Sequence, residues 1–156
     1  MPTQLTADEL AAIRALRPAF NALMRALDAD LLREHGLSHT EYLVLMYLSD
    51  AEGLTLRLSD LAGVCQQSLS AVSRTVGRLE NLGLVRREQA TSDARSYNAV
   101  LTAAGQERFD EARDSHLVSV RKYFFANLGE VDVRALAQAL QRIAAGVGPA
   151  QRLRGG

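Results

Sequence analysis

Tryptophan is missing from this 156-residue chain, and aromatic residues of every kind make up only 5% of it. With 47% of its residues hydrophobic, the chain has to build its core from leucine, valine and alanine, which favours helices. There is one cysteine, Cys65, so disulfides within the chain are excluded and a reducing compartment is the default. Lysine is equally scarce: Lys122 stands against 17 arginines. Arginine is the better bidentate partner for guanine and phosphate, although genomic composition produces the same bias. No apolar run approaches the length needed to span a bilayer. The opening MPTQLTADEL has neither the basic region nor the apolar run of a secretory signal, so a cytoplasmic location is expected.

Net charge is lacking too, with 18 basic and 18 acidic residues. That argues against a generic nucleic-acid binder and makes the distribution of charge the informative quantity. Residues 1–53 carry four arginines against eight acids, residues 54–100 six arginines against four acids, and residues 101–156 eight basic residues against six acids. Contact with a polyanion therefore rests on a local patch, and its strength should fall steeply with salt.

The chain is long enough for one domain, or for one domain with dimerisation arms. Thr6 with Glu9 reads as a capping box opening a long helix with apolar residues at Leu10, Ile13, Leu16, Phe20, Leu23, Leu27 and Leu31. Pro18 falls inside this run, so a kink or a split near Arg17 is expected. Ser38 with Glu41 caps a second helix that Gly53 stops. The segment TLRL, residues 55–58, reads as a short strand pairing with a later one. Ser59 is expected to cap a short helix from Asp60 to about Val64, and Ser68 to cap a helix from Leu69 to Leu82. In that last helix Leu69, Val72, Val76 and Leu79 are expected to face inward, with Gly83 as the left-handed cap. Two strands, Leu84 to Glu88 and Tyr97 to Leu101, flank the polar turn ATSDARS. Thr102 caps a long helix, a break follows at Asn127 to Glu130, and a last helix runs from Val131 to about Ala145 before a frayed tail from Gly146 onward.

Short helix, tight break, second helix and hairpin form the order of a winged helix-turn-helix. The expected fold is mainly α with a small β-hairpin wing, residues 36–101 forming the winged unit and residues 8–35 and 102–146 forming dimerisation helices. Terminal helices with their own apolar stripes must bury them, most simply against a twin. Within the unit, Ser68, Ser70 and Ser73 are short enough to let backbone approach phosphates. Arg74 and Arg78 lie one turn apart, so one can reach a guanine edge and the other a phosphate, with Arg74 nearer the front. Arg95 sits at the hairpin tip, where an arginine can enter a narrow minor groove. Asp93 cannot favour DNA by its charge and is expected to hold Arg95 or Arg87 by a charge-assisted bond. Arg86 and Arg87 alternate along their strand, and either can touch phosphate.

These residues resemble the MarR family of bacterial transcription regulators over about residues 10–145. The strongest parts are LSDLAGVCQQSLSAVSRTVGRLENLGLVRRE, then SDARS and VLTAAG, with Asp93-Ala94-Arg95 matching the family's wing signature and Leu101 to Gly105 the start of its next helix. The resemblance implies a triangular homodimer held by the first and last two helices, binding double-stranded DNA at a pseudopalindromic operator. It also implies repression, relieved when a small aromatic or anionic effector enters the cleft between the dimerisation and DNA-binding parts. DNA contacts carry over onto Ser68, Ser70, Ser73, Arg74, Arg78 and Arg95. Two departures stand out: Ala94 replaces a usual second wing arginine, and Gln66-Gln67 replaces a usual glycine and apolar residue before the reading helix.

Other residues have bland readings beside sharper ones. Cys65 sits where a small apolar core filler is wanted, and no cationic neighbour in sequence would activate its thiol. His35, His39 and His116 are too scattered to declare a metal site. Arg17, Phe20, Met24, His39, Tyr42 and Met46 form a candidate effector pocket between the first two helices, although such residues are more often core. No nucleophile, base and orienting group form a catalytic set, so no enzyme activity and no cofactor are expected. The competing reading is a winged helix used for protein–protein assembly.

Overall fold

The computed structural model describes residues 4–147. Local signals in the sequence set several of its element ends. Helix α1, Ala7–His35, opens on a capping box in which Thr6 accepts from the Glu9 backbone and Glu9 accepts from the Thr6 backbone. It ends at Gly36, whose φ of 65° is the left-handed conformation that glycine adopts without strain. Pro18 lies inside this helix and does not split it. The bond that Pro18 cannot donate leaves a carbonyl one turn back on a stretch exposed to water, which can take the missing donor's place. Helix α2, His39–Asp50, opens on a second capping box between Ser38 and Glu41.

A one-turn 3-10 segment, Glu52–Leu54, leads into strand β1, Thr55–Arg57. Helix α3 then runs Leu58–Val64 and helix α4 Leu69–Asn81. Strands β2, Val85–Gln89, and β3, Tyr97–Leu101, form the hairpin, and helix α5 spans Ala103–Tyr123. After a 3-10 turn at Phe125–Asn127, helix α6 occupies Val133–Val147. The sheet is antiparallel in the order β1-β3-β2, with Leu56 opposite Ala99 and Arg87 opposite Ala99 from the other side. The expected partner for the TLRL strand is thus β3.

Several expected boundaries move: α2 ends at Asp50 with Gly53 inside the next 3-10 turn, α4 ends at Asn81, β2 starts at Val85 and α6 at Val133. Helix α3 starts at Leu58, so Ser59 lies inside it, and no side chain caps its first turn. Gly146 belongs to α6 rather than to a tail, and the rest of the expected tail lies outside the described residues.

The core lies inside the winged unit and the ends of α1 and α5 that meet it. Leu37, Val44, Leu45, Leu48, Leu61, Val72, Val76 and Leu79 are fully buried. Helix α5 is docked on this core through Phe109 and Ala112, and through Gly105. A Cβ at Gly105 would stand 2.0 Å from the Leu84 carbonyl oxygen, so the close approach of α5 to the base of β2 requires glycine there. The other end of α1 differs: Ile13, Leu16 and Phe20 are more than half exposed. Helix α6 has no buried residue, and its Leu140, Ile143 and Val147 are exposed.

Candidate nucleic-acid interface

Helix α4 presents its front at one side of the winged unit. Ser68 caps it by accepting from the Ala71 backbone at 3.2 Å, and its hydroxyl lies 3.2 Å from that of Ser70. Both serines are exposed, as is Arg74, for which no ion pair forms among the described residues. The front therefore offers hydroxyls, the free amides of a helix start and one uncommitted guanidinium, all of them donors suited to phosphate and base edges.

The turn before α4 keeps its sharp geometry without glycine. Gln66 takes a φ of 55°, and the Gln66 and Gln67 amides donate to the Gly63 and Ala62 carbonyls. The Gln67 side chain reaches back to the Thr40 hydroxyl at 3.3 Å, tying the turn to the start of α2. The departure at Gln66-Gln67 is thus absorbed locally, at the cost of a left-handed residue that carries a Cβ.

Two of the arginines expected at DNA have partners within the chain. Arg78 donates through Nε to Glu41 Oε1 at 2.8 Å, while the other oxygen of Glu41 accepts the Ser38 amide at 2.9 Å. One buried carboxylate thereby closes the cap of α2 and clips α4 onto it. Arg87 turns inward from β2. Its Nη2 donates to the Ser73 carbonyl at 2.5 Å and lies 3.3 Å from the Ser73 hydroxyl, and its Nε stands 3.4 Å from Glu80. These bonds tie the wing strand to helix α4. A Cβ at Gly77 would sit 3.6 Å from Nη2, an ordinary contact, so the guanidinium does not require glycine there. Arg86, on the opposite face of the strand, pairs with Glu88.

The wing tip is organised by Asp93, but not by gripping an arginine side chain as expected. Its Oδ1 accepts the Arg95 backbone amide at 2.9 Å and its Oδ2 the Ser96 hydroxyl at 3.2 Å. Gln89 closes the turn from below by donating to the Ala94 carbonyl at 2.6 Å. A short acidic side chain next to the backbone favours this local turn over a longer reach to a guanidinium. The Arg95 side chain is left exposed. Arg57, which the sequence did not single out, bonds the Ser92 hydroxyl and ties the wing to the start of α3. Between α3, α4 and the wing lies a cavity of about 220 Å³ lined by Leu58, Leu69, Ser73, Arg95 and Tyr97 among others.

Leu69 overturns another expectation. It is 55% exposed, whereas Val72, Val76 and Leu79 on the same stripe are fully buried. The first turn of α4 projects past the core, so Leu69 lies beyond the buried part of the stripe and opens onto the cavity beside the wing.

The candidate effector residues are distributed over different surroundings. Phe20 lines a mainly apolar cavity of about 340 Å³ with Leu16, Leu23, Tyr123, Phe124, Leu128 and Leu140, which His39, Tyr42 and Met46 do not line. Tyr42 is buried, with its ring 4.4 Å from that of His116 and 5.5 Å from that of Phe109. His39 lies 5.6 Å from His116, its backbone amide bonded to Asp28. Met46 packs against the core, Met24 is half-buried and Arg17 is exposed. Burial holds both imidazoles below their ordinary value, His116 further by the nearby His39, and it raises the Tyr42 hydroxyl. The Nδ1 of His116 is buried without a partner. Nearby, Ser119 donates to Asp30 at 2.7 Å and Arg33 pairs with the same carboxyl, which those bonds hold below its ordinary range. Burial pushes the Cys65 thiol up, as suits a core filler. Among the described residues, no group of three metal-ligating side chains comes together, and no helix is long and apolar enough to cross a membrane.

A capped reading helix set behind a short helix, with a three-stranded sheet whose hairpin stands beside it, defines a winged helix-turn-helix protein. The family model described as MarR family matches residues 35–96. Two solved structures from Streptomyces coelicolor are similar along nearly the whole chain. Sco3205, a MarR family transcriptional regulator in complex with DNA, is 32% identical, with 97% of this chain and 94% of that one covered and a TM-score of 0.88. AbsC, also a MarR family transcriptional regulator, is 38% identical over 94% of this chain and 98% of its own, with a TM-score of 0.84. A MarR mutant from E. coli complexed with operator DNA shares the fold at 20% identity and a TM-score of 0.74. No curated protein matches. The chain belongs to the MarR family, whose members here are transcriptional regulators and not enzymes.

Proposed function

We propose that the protein is a homodimeric, sequence-specific DNA-binding regulator of transcription, acting as a repressor that a small aromatic or anionic effector releases. Each protomer sets the front of α4 in a major groove and the Arg95 wing tip beside a minor groove. Arg74 reads a base edge, Ser68, Ser70 and Arg95 engage the backbone and groove, and Asp93, Arg78 and Arg87 hold these groups in place. The observation that carries the reading is the pair of uncommitted arginines, Arg74 and Arg95, flanking a helix start with exposed serines. A relative at 32% identity whose structure contains DNA supports it.

The exposed stripes of α1 and α6 support pairing: Ile13, Leu16 and Phe20 on one, Leu140, Ile143 and Val147 on the other. An apolar surface of this extent on terminal helices is costly in water and is covered by a second copy, with residues 8–35 and 102–146 as the dimerisation helices. Two heads so joined suit half-sites about 34–36 Å apart. The cavity at Phe20 lies between the first helix and the carboxyl-terminal helices. An effector bound there shifts the heads only through its different affinity for the two spacings.

Selection of bound sites from a random DNA pool tests the reading, followed by gel shift at two salt concentrations and sedimentation of the free protein. A pseudopalindromic site, steep loss of affinity with salt and a dimer are expected. A monomer, or no binding at low salt, removes the proposal in favour of a winged helix used for protein assembly.

A further inference from the structure

We infer that Leu69 is a specificity-determining residue that reads the 5-methyl group of a thymine in the major groove. The inference rests on the DNA-binding reading above and adds to it a role for a side chain that the sequence placed in the core. Leu69 is the first residue of α4, and the three-residue spacing to Val72 sets it on the helix's apolar stripe. Val72 is fully buried and Leu69 is 55% exposed, so the stripe runs on beyond the core and ends in the open. A lone exposed leucine is unremarkable on most surfaces. This one stands between the exposed Ser68 and Ser70 at the end of the helix that enters the groove, and lines the cavity shared with Arg95 and Tyr97 of the wing.

Base chemistry decides what such a side chain meets. Leucine has no donor or acceptor to offer. Set against a guanine or cytosine edge, it would strip water from O6, N7 or the N4 amino group and return nothing. Thymine alone among the four bases presents a methyl group in the major groove. Leu69 therefore both attracts a T·A pair and penalises a G·C pair at one position of each half-site, while Arg74, on another face of the helix, supplies polar reading elsewhere in the site.

The test uses the full-length protein and the site obtained by selection. Each thymine of the half-site is replaced in turn by deoxyuridine, which removes only the methyl group, and affinities are measured for wild type, Leu69→Ala and Leu69→Ser. At one thymine per half-site, wild type is expected to lose about three- to fivefold, the value of one methyl-sized apolar contact. Both variants are expected to be indifferent to that replacement, to melt as wild type does, and to keep their response to loss of the base that Arg74 reads. The inference is overturned if no deoxyuridine weakens wild type, if the variants lose as much as wild type does, or if the selected half-site contains no thymine. Those results leave the DNA-binding reading standing when Arg74→Ala still weakens the complex. A protein that selects no DNA at all refutes that reading, and the role of Leu69 with it.

Discussion

Replacing Arg78 with alanine should cost stability before it costs recognition. Its Nε lies 2.8 Å from Glu41 Oε1, and the carboxylate is 9% exposed while the arginine side chain is 57% exposed. Unit charges about 4 Å apart at an effective dielectric of about 20 attract by roughly 4 kcal/mol. More than half of Arg78 is in water, which screens the pair, so about 1–2 kcal/mol remains as the expected loss. Part of that loss is the buried Glu41 left with only the Ser38 amide as partner. For a chain of this length, each kcal/mol lowers Tm by about 2–4 °C, so the midpoint should fall by about 2–8 °C in thermal unfolding followed by circular dichroism at fixed protomer concentration. Glu41→Ala should lose more, because the cap of α2 goes with the clip, typically a further 0.5–2 kcal/mol or so. The double variant should fall short of the sum. On DNA, Arg78→Ala should leave base preference unchanged. An unchanged Tm together with a relaxed base preference would refute the brace and restore Arg78 as a reader.

Three further outcomes are expected. Arg74→Ala should leave Tm unchanged and cost about 1–3 kcal/mol of operator affinity with relaxed sequence preference, whereas Arg95→Ala should weaken all sequences alike and lower the salt slope; binding isotherms on operator and random DNA separate the two. Gln66→Gly should stabilise by about 0.5–1 kcal/mol in urea unfolding, since glycine relieves the φ of 55° at an entropic cost smaller than the strain. Burial depresses the folded-state titration of His116 and His39 below the usual 6.5, so the unfolded chain takes up protons first as the medium acidifies. Stability should therefore be level above about pH 7 and fall as the medium acidifies below the ordinary imidazole value, and His116→Gln should flatten that fall.

Local chemistry was the most legible part of this chain. Thr6, Ser38, Ser68 and Thr102 cap helices as their spacing implies, and the pairing of Thr55–Arg57 with the hairpin followed from strand content alone. Periodicity was less sufficient. It gave the phase of Leu69 correctly but could not say that the core stops short of it. Alternation separated Arg86 from Arg87 but could not say which one faces the helix. The partners of the braces lie far away in sequence: Glu41 is 37 residues from Arg78, and Ser73 is 14 from Arg87. An arginine with such a partner and one without look the same until the fold brings the elements together. Asp93 was read for its charge when its reach was the deciding property.

The nakedness of α6 has a cellular consequence. Fifteen residues of helix, with none tucked into the chain that makes them, are barely stable in water by themselves. In the proposed dimer their order would come from association and would strengthen with copy number by mass action. If the protein pairs as proposed, dilution should expose the carboxyl-terminal arm to proteases first, so limited proteolysis at falling protein concentration should cut α6 before the winged unit.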